Sequence, residues 1–297
     1  EAMVILRRLG SWLAVGLLWL LHWLPTPVLG AMGRALGRLL YRFGRGRVTD
    51  TNLALCFPEM PEAERKALGR RHFEALGRNA IEMSVMWFGS DERVLGLVSL
   101  AGREHLDRLR GKPVILLVPH FVGLNMGGAR IAHEYPGSAS IYSRQKNPVL
   151  DRLFLHGRLR FGSPILLSRQ DGMRSIVKTL REGRLLYFLP DMDFGPRDAI
   201  FAPFFGVPAA TVTALPRLAQ LGRATVVPAI AVQRERGYEM VVYPPWEGYP
   251  SGDVEADVRR MNAFIEERVR EIPEQYFWAH KRFKTRPPGE PSPYRRK

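Results

Sequence analysis

The chain has 297 residues, with 44 Lys and Arg against 29 Asp and Glu, a net charge of +15 at neutral pH. An apolar fraction of 46% and a mean hydropathy of −0.14 exclude both a disordered chain and a polytopic membrane protein. A single cysteine, Cys56, excludes a disulfide framework and fits a reducing compartment, and the excess of base calls for an acidic partner: nucleic acid, anionic lipid or an acidic protein.

Leu9 to Leu24 reads LGSWLAVGLLWLLHWL, sixteen residues without Lys, Arg, Asp or Glu. At helical rise this is about 24 Å, short of the roughly 30 Å hydrocarbon core. It predicts an N-terminal membrane-anchoring helix, tilted or partly embedded, lengthened by Val4 to Leu6 if Arg7 and Arg8 snorkel. A signal peptide fits less well, since Pro25-Thr26-Pro27 stands where a small-residue cleavage site belongs. A buried first helix of a soluble fold is the remaining alternative. Arg34, Arg38, Arg42 and Arg45 then recur at helical spacing, with Leu36, Leu39, Leu40 and Phe43 on other faces. A basic amphipathic helix beside an apolar one suits an anionic bilayer surface, a solvated arginine face being the alternative. Residues 1–47 are therefore expected to be an anchor and basic helix, and residues 48–297 a body on the cytoplasmic side.

That body alternates strand and helix patterns. Pro61 to Phe88 is helical in composition, with a proline at its start. Pro113 to Val118, Ala139 to Tyr142, Leu185 to Leu189, Thr225 to Val232 and Glu239 to Tyr243 read as strands. Asn147 to Arg160, Asp171 to Glu182, Thr211 to Leu221 and Asp253 to Arg270 read as helices. The order predicts an α/β fold, a mainly parallel sheet flanked by helices, with its chemistry at the C-terminal ends of the strands. The tail from Lys281 is basic and proline-rich and is expected to be loosely ordered at its end.

No Gly-x-Ser-x-Gly elbow, phosphate-binding glycine loop, dinucleotide fingerprint or His-Glu-x-x-His helix occurs, and no nucleic-acid-binding module accompanies the basic charge. Cys56 cannot build a zinc site alone and reads as a small buried hydrophobe. Among seven histidines, His120 is set apart by position: it ends the most apolar strand, ahead of Phe121-Val122-Gly123 and a helix start. His22, His72, His105, His133 and His156 stand in no motif, and His280 fits either a phosphate contact or packing beside Trp278.

Several blocks, in order, resemble the bacterial lipid A late acyltransferases, relatives of the glycerolipid acyltransferases. They are Asn52-Leu53-Ala54-Leu55-Cys56-Phe57-Pro58-Glu59; Tyr142-Ser143-Arg144 with Lys146-Asn147-Pro148 and Asp151-Arg152; Leu189-Pro190-Asp191-Met192-Asp193 with Phe201 to Thr211; Val227-Pro228; and Trp278 to Glu290. The resemblance covers most of the chain. It implies a glycerolipid-acyltransferase-like fold and transfer of a fatty acyl group from acyl carrier protein to a hydroxyl of a phosphorylated lipid A precursor. The reaction would run at the cytoplasmic face of the bacterial inner membrane, without metal or other cofactor. Another lipid acceptor, such as a lysophospholipid or ornithine lipid, is the alternative, and nucleic acid is not needed to account for the charge.

The family signature is a histidine, four residues, then Asp or Glu. It implies that His120 is the general base, with an acid at 125 fixing its tautomer. This chain has Asn125 there. Asparagine keeps the shape, loses the charge and can select the wrong tautomer, so the resemblance implies a severely slowed enzyme that still binds substrate. Either the asparagine is an introduced inactivating substitution, the favoured explanation, with which the Glu1-Ala2 start ahead of Met3 is compatible, or it is natural and Asp191 or another acid supports His120. A natural asparagine also fits a non-catalytic, membrane-associated lipid-binding protein. The resemblance further implies that Arg144 contacts a phosphate or the acyl carbonyl, an ordinary surface salt bridge being the alternative, and that Asp191 orients the acceptor hydroxyl or holds a basic side chain, a turn or helix cap being the alternative, with Asp193 a turn residue. Arg197, Arg282, Lys284 and Arg286 are candidate phosphate contacts, and Phe204 and Phe205 are core residues or walls of an acyl groove.

Overall fold

A computed structural model describes residues 2–168 and 171–294, the side chains of residues 2–8 and 45 excepted. The expectations for Val4 to Leu6, Arg7, Arg8, the Arg45 side chain and the extreme C-terminus therefore lie outside the described residues.

The chain begins with two helices, α1 (Ala2–Leu21) and α2 (Thr26–Leu40), separated by Pro25 in an extended conformation. Among the described residues no helix is long and apolar enough to cross a membrane. α1 exposes Trp12, Leu13, Leu17, Trp19 and Leu20, with exposed Trp23 just past its end, and turns Val15, Leu18 and Leu21 inward. Past its end, the carbonyls of Leu18, Leu20 and Leu21 accept from the His22, Trp23 and Leu24 N–H groups, and the Arg93 guanidinium clasps the link to α2, donating to the His22 carbonyl and, at 2.5 Å, to that of Leu24. α2 ends in a kinked turn, Tyr41–Arg45, that Gly44 makes with φ +81°, and α3 (Arg47–Cys56) follows.

α4 (Glu62–Phe88) is the long helix against which α2 lies. Gly33 and Gly37 bring the two backbones into contact. A Cβ at Gly33 would stand 2.4 Å from the Gly77 carbonyl oxygen, and one at Gly37 would stand 1.9 Å from that of Phe73. A methyl group there has nowhere to go except by parting the helices. Gly37→Ala is accordingly expected to cost at least about 2 kcal/mol; a denaturation midpoint equal to that of the unmodified protein would refute this close docking. Further along α4, buried Arg78 pairs with buried Glu82 at 2.9 Å and donates to the Arg234 and Gly237 carbonyls, pinning the helix to the turn between two strands.

After α5 (Asp91–Leu97), β1 (Val98–Ala101) and α6 (Glu104–Asp107), the predicted alternation appears: β2 (Val114–Leu117), α7 (Leu124–Glu134), β3 (Ala139–Tyr142), α8 (Pro148–Leu159), β4 (Ile165–Ser168), α9 (Gly172–Arg181) and β5 (Leu185–Phe188). A hairpin, β6 (Ala199–Phe204) and β7 (Val207–Val212), precedes α10 (Ala214–Gly222), β8 (Thr225–Gln233), β9 (Tyr238–Val242) and α11 (Val254–Glu271). The seven-stranded sheet has the order β1-β9-β8-β2-β5-β3-β4. Its β8 to β4 part is parallel, while β9 runs antiparallel to β8 and β1 parallel to β9. β2 is buried on both faces, as the middle of a parallel sheet must be. Ile115 and Leu117 meet α9, α10 and α11 on one side; Val114 and Leu116 meet α7 on the other.

The strand expectations hold to within a residue or two. Pattern reading missed β1, β4 and the hairpin strands β6 and β7, and it started α10 too early: Thr211 and Val212 end β7 instead. The hairpin reverses at Phe205-Gly206, whose φ values of +50° and +74° are those of a type I′ turn.

Candidate active site

β2 and β5 are neighbours, with Leu117 opposite Phe188. Each strand then runs one residue further into a proline, Pro119 or Pro190, which has no N–H for the ladder. The last ladder bond is Val118 N–H to the Phe188 carbonyl, 2.9 Å. Three residues beyond Leu117 is His120, and three beyond Phe188 is Asp191. Equal offsets from paired residues bring the two side by side at the sheet's C-terminal edge.

The contact is close. His120 Nδ1 is 2.6 Å from Asp191 Oδ1, and the His120 backbone N–H donates to Oδ2 at 2.9 Å. Tyr276 O–H donates to the same Oδ2 at 3.2 Å. Asp191 is only 1% exposed. Burial by itself pushes its carboxyl up; the charge and hydrogen bonds of His120, with the nearby Arg282 charge, outweigh burial and hold it below the usual carboxylate range. An ionised carboxylate only accepts, so Nδ1 carries a proton, and in the neutral imidazole this leaves the lone pair on Nε2. The His120 side chain is 17% exposed.

A strap from the C-terminal segment fixes the backbone around this pair. Phe277 N–H donates to the His120 carbonyl at 2.8 Å, and Val122 N–H donates to that of Gln275 at 2.9 Å. Asp193, buried, accepts from Thr285 N–H and Oγ1–H at 2.6 and 2.8 Å, while its own N–H donates to His280 Nε2 at 3.0 Å. His280 is thus an acceptor, and burial followed by the charges of Arg282 and His120 lowers its pKa to about 4. Burial lowers that of His72, under the same strap, to about 4 as well. Unfolded, both imidazoles take protons below about pH 6.5; folded, they resist until about 4. Conformational stability should therefore be full above pH 6.5 and decline from there to about 4, as denaturation midpoints at pH 7.5, 6 and 5 will show; equal midpoints would contradict it.

An apolar cleft lies between α4, α7, α8 and strands β3 and β5, with Met83, Trp87, Phe154 and Phe161 on its walls. Leu124 and Asn125, in the first turn of α7, also line it. Arg158 enters from α8 and donates to Ser140 Oγ at 3.2 Å; burial pushes its pKa down, and no carboxylate pairs with it among the described residues. The sequence reading passed over Arg158. Its signal was the helical spacing of Phe154, Gly157, Arg158 and Phe161, four residues of one face that all line the cleft.

The sequence profile of the bacterial lipid A biosynthesis acyltransferases matches residues 1–285. The chain belongs to this family. It is 36% identical to the lipid A biosynthesis lauroyltransferase of Escherichia coli over 291 residues, 96% of this chain and 94% of the relative. It is 34% identical to the myristoyltransferase of the same organism over 299 residues, 98% and 92% of the two chains. A Haemophilus influenzae lipid A biosynthesis acyltransferase is 32% identical over 284 residues, 93% and 90%. The family expectation drawn from the sequence blocks is thereby met, and acyl transfer in lipid A biosynthesis is its activity.

The remaining candidate residues of this acyltransferase fall in three groups. Exposed at the active edge or beyond it are Arg144, Arg197 and Lys284. Arg144 follows β3, two strands from β2, and its Nε is 3.7 Å from Asp151. Turned inward are Arg282 and Arg286, which corrects their reading as phosphate contacts. Arg282 is 3% exposed and donates to the Ala210 carbonyl and Thr211 Oγ1, at 2.8 and 2.9 Å. Arg286 donates to the Pro208 carbonyl at 2.6 Å and pairs with Glu290. Both fasten the strap to β7. Phe204 and Phe205 are likewise not groove walls: Phe204 is buried against Phe283 and Tyr276, and Phe205 packs on Phe57 and Trp278.

Asn125 needs a correction of its own. Its side chain lines the cleft and makes no hydrogen bond among the described residues, while Nδ1 of His120 is taken by Asp191. The imidazole has its carboxylate from β5, without one at position 125.

Proposed function

We propose that His120 and Asp191 form the catalytic pair of an acyl-carrier-protein-dependent O-acyltransferase. The observation that carries this is the 2.6 Å contact between His120 Nδ1 and Asp191. Nε2 of His120 takes the proton of the acceptor hydroxyl as its oxygen attacks the thioester carbonyl carbon. Asp191 holds the tautomer and stabilises the imidazolium that forms. The C–S bond then breaks, and the departing thiolate takes the proton back from Nε2. The cleft between α4, α7 and α8 receives the acyl chain, since a fatty chain needs a long apolar slot beside a few polar groups. Arg144, Arg197 and Lys284 meet phosphates of the acceptor, a lipid A precursor.

The outward faces of α1 and α2 rest on the cytoplasmic side of the inner membrane. Trp12 and Trp19 of α1 and Trp23 just beyond it are exposed, as are Met32, Leu36, Leu39 and Phe43 of α2 and its kinked end. Arg38 and Arg42 lie on the same exposed stretch, Arg38 within 3.7 Å of Glu74. Tryptophan with arginine beside aliphatic side chains suits the lipid headgroup boundary.

The test is to incubate the protein with acyl carrier protein thioesters of several chain lengths and a tetra- or penta-acylated lipid A precursor, then weigh the products. One acyl increment is expected, absent with His120→Ala. No increment from any donor and acceptor would overturn the reading.

A further inference from the structure

α9 and the end of α10 form a groove on the face of the sheet opposite α7 and α8. Met173, Val177 and Leu221 line its floor; Arg174, Lys178 and Arg181 line its rim, with Glu182 at one end. Met173 and Leu221 are 39% and 45% exposed, more than thioether and leucine side chains of a settled surface need be. The helix cannot roll to hide them, because Ile176 and Leu180 are held in the core. Arg181 Nε donates to the Leu221 carbonyl at 2.9 Å, joining the two helices. Arg174 and Lys178 are exposed and form no ion pair among the described residues, while Glu182 lies 3.6 Å from Arg184. The rim cations stand at positions 174, 178 and 181, one stripe of a helix, with apolar side chains between them.

Two basic surfaces of different kind are thus present. The α1–α2 surface is broad and apolar and lies beyond α4, α7 and α8. The α9 groove is narrow and lies on the other face of the sheet, where α9, α10 and α11 pack. A surface turned away from the lipid-facing helices suits a soluble partner. Its charge and shape suit an acidic amphipathic helix, whose carboxylates would meet the rim while its apolar side chains meet Met173 and Val177. α9 begins where β4 ends, at the same edge of the sheet as His120, and β4 is three strands from β2, about 14 Å. A long thioester arm carried by such a partner has at least that lateral distance to cross, with Met173 and Arg174 at the near end of the groove and Arg181 and Leu221 at the far end.

We propose that this groove docks the acidic helix of the carrier protein that delivers the acyl thioester; the assignment rests on the carrier-dependent reading given above. The experiment compares two donors of the same acyl group, its acyl carrier protein thioester and its pantetheine thioester, with the intact protein, the pair Arg174→Glu/Lys178→Glu, and Arg236→Glu as a charge reversal in the turn between β8 and β9. The double variant is expected to lose at least about tenfold in kcat/KM with the carrier-linked donor, with the difference shrinking as salt is raised. Turnover of the pantetheine thioester and binding to anionic vesicles should be unchanged, and Arg236→Glu should behave as the intact protein. An equal loss with both donors, no loss with either, or a loss of vesicle binding would each overturn the docking assignment. An intact protein that uses the pantetheine thioester as well as the carrier-linked one would instead overturn carrier dependence itself.

Discussion

Asp191→Asn is expected to lower kcat by about 10⁴, the scale seen when the carboxylate behind a catalytic histidine is made an amide in the serine-protease triad. An amide at 191 can present its NH₂ group to Nδ1, which then becomes the acceptor and moves the imidazole proton to Nε2. The base is lost while the shape is kept, so KM for both substrates should change little. Asn125→Asp is expected to alter kcat by less than about tenfold, because the new carboxylate enters the cleft and Nδ1 of His120 is already occupied. The ranking of the two variants in a steady-state assay decides the matter: a gain of several hundredfold from Asn125→Asp, with Asp191→Asn near the unmodified rate, would return the orienting role to position 125. Because Asp191 also accepts from Tyr276 and the His120 N–H, thermal melts should accompany the kinetics, so that loss of folded protein is not read as loss of chemistry.

The second large effect concerns the exposed apolar side chains of the N-terminal helices. Leu13, Trp23 and Phe43 are 75%, 69% and 74% exposed, and each gives up apolar surface to water unless something covers it. Burial of a large apolar side chain is worth about 1.5–3 kcal/mol, so replacing all three by serine should weaken partitioning onto anionic vesicles by at least about 10³. Residual binding should then depend strongly on salt, through Arg38 and Arg42. Co-sedimentation with vesicles measures both, and undiminished binding would show that this surface does not meet the bilayer. The soluble assay with detergent-dispersed acceptor should be affected far less, since these side chains are remote from His120 in the chain and belong to other elements.

Much of this was legible from local pattern, and the rest was not for a definite reason. The apolar run ending at Pro119-His120 marked both a central strand and the catalytic edge, because a strand buried on both faces must be uniformly apolar. Asp191 was legible as a site residue, and as the partner of His120 only in the less favoured explanation of Asn125. The two are 71 residues apart, and only the strand order, with β5 beside β2, makes them neighbours. Arg282 and Arg286 read as available cations because their acceptors are main-chain carbonyls of β7, which leave no trace in the spacing of side chains. Phe204 and Phe205 misled in a similar way. An aromatic pair between proline and glycine fits a groove wall, yet here it forms the end of a hairpin folded onto the core. Arg158 was hidden by its surroundings: an arginine on an amphipathic helix is ordinarily on the solvent side, and this one faces inward.

α4 is attached at three places along its length. Its backbone touches α2 through Gly33, Gly37 and Gly77, its Arg78 grips the β8–β9 turn, and its Met83, Met86 and Trp87 wall the cleft. One helix therefore joins the wall of the cleft to the seat of α2, so parting the α2–α4 seam should alter the shape of the cleft as well as the stability of the fold.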